Sequence, residues 1–457
     1  MTPGKTRWWQ RPSRLVPVTI GALVLLAFVG LKVSSQTGLQ REMKAVRAKG
    51  LPTNSKELHE WYAAVPPEEN AGLKFLAAHE VYVEPAKGSD PSELDWRAIP
   101  HDQSLDAAVM GVLGEHVAEN EETLKRMHEA GKFTKSRYTA DLGKAPELLL
   151  PHLMQMKRLV SLARWEAVLK AEQGDAAGAV AALRTGFSLA HTLAQEPLLI
   201  SELVRMAYVA ILLNGTERVL NVAQLNENQL SELAATVAEA AEECRSSLNR
   251  AMIGERAFAN TGRKFTFEEY ESMMSFGGLA PPKEEIPEPL RRLLYSLRLG
   301  LGIQDRDYIY TMRSLARLIE ATELEDPALF SAMENLAGEI NSELVKHPIL
   351  YEMSRMSLGS IMSVPKKEVI LTARLRSVAM ALEIQRWRFR NGGRVPRADE
   401  LVPGVFEKLP FDPVDGKPLQ YETRAHGFRV VAVGATAAEK KGGAVRIAPD
   451  VGFVIIK

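Results

Sequence analysis

The side chains able to do chemistry in this sequence are few and scattered. Histidines stand at His59, His79, His101, His116, His128, His152, His191, His347 and His426. No two share a helix at the i, i+4 spacing that would aim both imidazoles at one zinc ion. His79-Glu80 is the one candidate acid/base couple, an imidazole beside a carboxylate, although such adjacency often arises by chance and that is the plainer reading. Met353, Met356 and Met362 cluster, with Met273 and Met274 elsewhere. Thioethers bind Cu(I), but filling irregular gaps in a core is their ordinary work. Glu268, Glu269 and Glu271 read as a solvated face. Asp412 and Asp415 offer oxygen to a hard cation, yet calcium asks for several more ligands than two carboxylates supply. Cys244 is the single cysteine, which excludes an internal disulfide or a shared thiolate site. It lies in the polar helical stretch Glu242-Glu243-Cys244-Arg245, where a small helix residue is the plain reading. There is no Gly-x-Ser-x-Gly elbow, no phosphate loop ending in Lys-Ser/Thr and no strand–GxGxxG–helix unit. Gly300-x-Gly302 follows a helix and lacks the third glycine. The sequence thus gives no reason to expect a metal or a cofactor, and its catalytic leads reduce to His79 and Glu80.

Such leads matter only if the fold brings them together. A chain of 457 residues, 46% hydrophobic and 25% charged, is a folded protein too long for one ordinary core. Fifty-seven basic residues balance fifty-seven acidic ones, which argues against a body built to hold nucleic acid.

The strongest signal is near the start. Leu15 to Leu31 carries no charge and as a helix reaches about 25 Å, the short end of what crosses a bilayer. Trp8 and Trp9 precede it, where amphipathic rings favour the interface. Lys5, Arg7, Arg11 and Arg14 stand before it with no acid; a short basic tail ahead of a long body places the N-terminus in the cytoplasm. A cleaved signal fits less well, because Lys32 lies where small neutral residues belong and Val33-Ser34-Ser35 is a poor cleavage site. The expected layout is a cytoplasmic tail (1–14), an uncleaved anchor in the inner membrane (15–31), a juxtamembrane helix or stalk (32–52) and a body outside the cytoplasm.

The body reads as mainly α. Asn54 and Glu57 form a capping pair that opens a short helix, and Leu73, Leu76, Ala77 and Val81 recur at helical spacing. One stripe from Leu105 to Met127, opened by Ser104, predicts a single helix ending at Gly131. Helices follow over Ala145–Glu172, Ala176–Gln195, Leu198–Leu220 and Gln229–Ala257. Leu198–Leu220 is nearly all apolar, but Glu202, Arg205, Glu217 and Arg218 make it a buried core helix rather than a second span. Residues 260–289, with Gly277-Gly278 and repeated prolines, predict an exposed loop or lid. Helices resume over Leu290–Leu299, Arg306–Glu323, Pro327–Leu344 and Val369–Arg390. Gly174-Asp175 through Ala190 is similar to the second helix of a tetratricopeptide repeat, with Ala179 and Gly186 allowing close approach. Beyond Arg394 prolines gather, and Leu419–Arg424, Phe428–Val433, Val445–Ala448 and Val451–Ile456 predict a small antiparallel sheet. The boundaries expected are a helical domain over 53–391 and a small α+β tail over 392–457.

Two regions carry a resemblance. Leu58-His59-Glu60-Trp61-Tyr62 and Val65 to Ala71 stand near the start of the body. At the end come Arg397 to Pro403, Leu409-Pro410-Phe411-Asp412-Pro413, Asp415 to Tyr421 and Phe428 to Gly434. Together they resemble uncharacterised membrane-anchored helical proteins of planctomycete-like bacteria, which implies topology rather than activity. The tail alone resembles the C-terminal region of type II secretion major pseudopilins, where Leu-Pro-x-Asp-Pro precedes a small sheet and an acidic loop binds calcium. The matching stretch, Ala435 to Gly443, has one carboxylate and two lysines, and no glutamate lies within Leu15–Leu31. The resemblance therefore stops short of a pilin, and Asp412 to Pro418 reads as a turn that nucleates the sheet. The function this predicts is a membrane-anchored interaction or scaffold protein, held to lipid by its anchor and to a protein partner by a helical groove. The alternative is an extracytoplasmic enzyme of unrecognised class.

Overall fold

The computed structural model describes residues 12–94, 103–144, 149–263, 265–276, 286–425, 427–441 and 451–456. It is mainly α, with one small three-stranded antiparallel sheet at the C-terminal end. His101, His426 and Val445–Ala448 lie outside the described residues.

Helix α1 runs unbroken over Pro12–Ala48, about 55 Å. Its first half is long and apolar enough to cross a membrane and lies bare, with Ile20, Leu23, Val24, Leu25 and Leu26 all more than half exposed. The second half, expected as a stalk, is docked on the body. Leu39 and Met43 are buried with Tyr308 and Met312 of α12 (Ile303–Ala321). Lys32 pairs with Asp305 at 3.1 Å. Partners advance together along both helices, from Lys32–Asp305 to Lys49–Glu320, so α12 runs parallel to α1.

In α2 (Ser55–Trp61) Asn54 accepts from the Glu57 N–H at 3.0 Å, while the Glu57 carboxylate reaches back to the Thr53 N–H at 2.8 Å. That is one residue earlier than a capping box requires. Asn70 caps α3 (Ala71–His79). The stripe from Leu105 to Met127 is two helices, α4 (Ala107–Glu119) and α5 (Glu121–Ala130), and Asp106 rather than Ser104 caps the first. The break is Asn120, fully buried. Its side chain bonds the Val83 N–H, the Val83 carbonyl and the His116 carbonyl, tying the loop after α3 to the corner in place of helix continuation.

Helices α6 (Pro151–Glu172), α7 (Ala176–Ala194) and α8 (Leu199–Val222) pack on one another. Gly174, at φ +81°, makes the turn between the first two and Asp175 caps α7. A Cβ on Gly186 would stand 2.4 Å from a Leu212 methyl, which is the close approach the small residues predicted. Helix α8 meets the same length and composition test as α1 but is mostly buried in the body, with Arg205 paired to Glu202 and Arg218 to Glu172. Helix α9 (Glu227–Gly262), opened by the Asn226/Gln229 capping box, runs through the centre and packs on α7, α8, α12 and α15 (Val364–Arg390).

The expected lid over 260–289 is largely helix where it is described: α9 continues to Gly262, and α10 spans Phe267–Phe276. Thr266 and Glu269 form a capping box, with Thr266 N–H to the Glu269 carboxylate at 2.7 Å and Glu269 N–H to the Thr266 hydroxyl at 3.2 Å. Helix α11 (Glu288–Gly300) follows. After α12 come α13 (Ala328–Lys346) and α14 (Glu352–Ile361), the latter not foreseen, and α15 begins five residues before the expected Val369.

Strands β1 (Gln420–Arg424), β2 (Gly427–Val431) and β3 (Gly452–Ile455) pair in that order, with Tyr421 opposite Val430 and Val430 opposite Phe453. The free edge of β3 is closed by α8: Glu217 accepts from Val454 N–H, and Asn221 bonds the Val454 carbonyl and the Ile456 N–H. Phe428 and Phe453 join the core of the helices. The pseudopilin-like stretch from Ala435 falls in a helix, α16 (Val433–Lys441).

Candidate functional site

The sequence's candidates do not converge. The His79 ring stacks on Tyr82 at 5.6 Å; its Nε2 is buried without a hydrogen bond, and burial, seconded by Arg158, lowers its pKa. Glu80 follows the end of α3 on the surface and shares no hydrogen bond with it. Asp412 is buried, and its two oxygens accept from the Val414 and Ala435 N–H groups at 2.9 and 3.1 Å. Asp415 accepts from Lys417 N–H and pairs with the Lys417 ammonium. Both are turn residues, and each of their oxygens already has one partner from the surrounding turn or helix. Glu268 and Glu271 pair with Arg292 and Arg291 of α11, and Glu269 is the α10 cap. Cys244 is buried and its thiol is pushed up to about 12, chiefly by burial, which keeps it protonated. Gly300 and Gly302 serve packing: a Cβ on either would collide with Phe28 or Ser35 of α1.

Sequence reasoning missed the polar pairs between helices. His128 meets Glu166 at 3.1 Å and His152 meets Glu196 at 3.0 Å. Ser201 donates to the same Glu196 carboxylate at 2.6 Å. The arrangement has the members of a nucleophilic triad in the wrong order, because the hydroxyl faces the carboxylate and not the imidazole. All three are buried. In a cavity of about 470 Å³ beside Trp61, Tyr62 and Arg250, His191 Nδ1 bonds Glu243, and its Nε2 lies 2.9 Å from the Thr134 carbonyl and 3.1 Å from the Gln195 side-chain nitrogen. The Glu243 bond raises the pKa of the ring, against the burial that lowers it. Both ring nitrogens are engaged by neighbours, Nδ1 by Glu243 and Nε2 by Thr134 and Gln195. Among the described residues no three His, Cys, Asp or Glu side chains gather to hold a metal. Met273, Met353 and Met356 do line one cavity, of about 240 Å³, shared with Phe258, Phe265 and Ile361.

Glu368 lines a polar cavity of about 290 Å³ with Asp326 and Arg376. Burial pushes its carboxyl up to about 7; the Thr372 hydroxyl opposes this and the Asp326 charge adds to it. A folded-state pKa above the ordinary 4.5 stabilises the fold fully below that value, and the benefit is lost as pH rises through 7. Glu368→Gln is therefore expected to remove a decline of up to about 3 kcal/mol between pH 5 and 8.5. Denaturant midpoints across that range check it, and parallel pH profiles for the variant and the native chain would refute it.

A cavity of about 480 Å³ lies between α10, α11 and the start of α14. Phe267, Met274, Leu294, Leu297, Leu301 and Ile349 supply apolar wall. Its charged groups are paired with one another: Arg291 with Glu271, and Arg298 with Asp307 at 2.9 Å and Glu352 at 3.1 Å. An apolar cavity whose few charges are already neutralised suits the binding of an apolar group rather than proton transfer. The chain matches no family model, no curated protein and no solved structure.

Proposed function

We propose that the chain is a single-pass, membrane-anchored interaction or scaffold protein, its N-terminus in the cytoplasm and its body beyond the inner membrane. The observation that carries this is the division of α1. From Thr19 onward its apolar half lies bare apart from Phe28, which meets Gly300, whereas its polar half is bonded to α12. A helix apolar on all sides and left bare is at ease only in lipid. The basic tail ahead of it supports the orientation. Binding is favoured over catalysis because the His–Glu pairs are buried or fully hydrogen-bonded, while the cavity of about 480 Å³ between α10 and α11 is mainly apolar.

In membrane vesicles the full chain is expected to resist extraction by alkaline carbonate. A chain beginning at Lys32, which keeps Leu39 and Met43 on α12, is expected to fold and stay in solution. Protease added outside spheroplasts is expected to digest the body. Release of the full chain by carbonate, or protection of the body, would refute the anchor or its orientation respectively.

A further inference from the structure

The surface of α11 departs from the rule that a helix turns its apolar stripe inward. Leu290, Leu293, Leu294 and Leu297 follow i, i+3, i+4, i+7 spacing, a stripe roughly 100° wide, and are 46%, 53%, 51% and 42% exposed. The inward face is instead polar-tipped: Tyr295 and Arg298 are buried, Tyr295 donates to the Phe265 carbonyl, and Arg298 is held by Asp307 and Glu352. Beside the stripe Ile349 is 78% exposed, and its carbonyl accepts from Arg298 at 2.6 Å. Four leucines and an isoleucine in one patch are not scattered surface residues.

The place of the patch says what covers it. Helix α11 ends at Gly300 against the ring of Phe28, inside the anchor and four residues before Lys32. Helix α12 then starts beside Ser35 and runs parallel to α1, away from that end. The end of α11 therefore sits at the depth where the anchor leaves the hydrocarbon, with the exposed Leu297 about one turn before Gly300. Leu294, Leu297 and Ile349 also line the 480 Å³ cavity, so the cavity opens on this same patch.

We propose that the α11 stripe rests on the bilayer and that the cavity behind it takes an acyl chain of a membrane lipid, entering between Leu297 and Ile349. The ligand class follows from the walls. Apolar side chains offer a methylene chain its contacts, and among the described residues the lining arginines, each already paired with a carboxylate, leave no free cation to demand an anionic head group. This inference rests on α1 being a membrane anchor.

The test uses the full chain in vesicles of phosphatidylcholine and phosphatidylglycerol doped with a phosphatidylcholine carrying a diazirine at its acyl terminus. After photolysis, peptides from α10 and from the 345–352 segment are expected to carry label alongside the anchor. Ile349→Glu, a change at an exposed side chain that leaves the core alone, is expected to lower the cavity label at least fivefold and leave the anchor label unchanged. Met274→Trp, which fills the cavity from within, is expected to do the same with unaltered circular dichroism. Label confined to residues 15–31 would overturn the cavity proposal and leave the anchor intact. Absence of label everywhere, with release by carbonate, would overturn the anchor itself. A polypeptide rather than lipid co-purifying in the cavity of the detergent-solubilised protein would also overturn the proposal.

Discussion

Arg205→Met is expected to destabilise the body by about 3 to 5 kcal/mol, read as a fall in the guanidinium midpoint of the chain from Lys32 onward. Arg205 has no exposed side-chain surface, and its guanidinium holds both oxygens of Glu202 at 2.8 Å. Glu202 sits one turn earlier on α8 and is itself buried. The next carboxylate, Glu243, is 3.6 Å from the remaining nitrogen and is also bonded to His191. Removing the cation leaves Glu202 as a buried anion without a partner, and the packing of a methionine does little to offset that. The double change Glu202→Met with Arg205→Met removes both charges together and is expected to recover most of the loss. A single variant as stable as the native chain, or a double variant no better than the single one, would refute the argument.

That pair also shows what the sequence could and could not disclose. The charges in Leu198–Leu220 were enough to tell a core helix from a second span, because four ionisable residues at helix depth need partners that lipid does not supply. Glu202 and Arg205 find each other one turn apart, but Arg218 depends on Glu172 of α6 and Glu217 on Val454 of β3, far away in the chain. Helices with full stripes and visible caps, such as α2 and α7, were legible for the same reason that they form: the local signal and the packing agree. Where the two parted, the reading failed. Gly277-Gly278 and the prolines after it masked the Thr266/Glu269 capping box that starts α10. Asn120 is an unremarkable polar residue within a stripe until Val83 arrives to be bonded. The second half of α1 shows only a narrow stripe of Leu39, Met43 and Val46, and its seat on α12 lies some 270 residues later. The leucines of α11 are plain in the sequence, but periodicity cannot say that the stripe faces out. Only the position of Gly300 against Phe28 gives that its meaning.

Gly254 offers the sharpest test of the packing that holds the three central helices together. It lies within α9, and a Cβ built there would stand 1.8 Å from the Pro197 carbonyl oxygen and 2.8 Å from its carbon. The obstacle is backbone, so no rotamer can relieve it. Pro197 forms the corner between α7 and α8, and the same corner is fixed from both sides. Glu196 is bonded to His152 and Ser201, and Arg250, one turn before Gly254, donates to the Ala194 carbonyl. To admit even a methyl, α9 must move off the corner and loosen these bonds. Gly254→Ala is therefore expected to destabilise by about 3 kcal/mol, against a gain in helix propensity of no more than about 1 kcal/mol. Gly338, in α13, provides the control, because a Cβ there meets nothing within 4 Å. Gly338→Ala is expected to stabilise by about 0.5 to 1 kcal/mol. Opposite signs for the same substitution, measured by denaturant unfolding of the two variants, are what close contact between α9 and Pro197 demands. Two changes of the same sign would mean that the helices do not approach there.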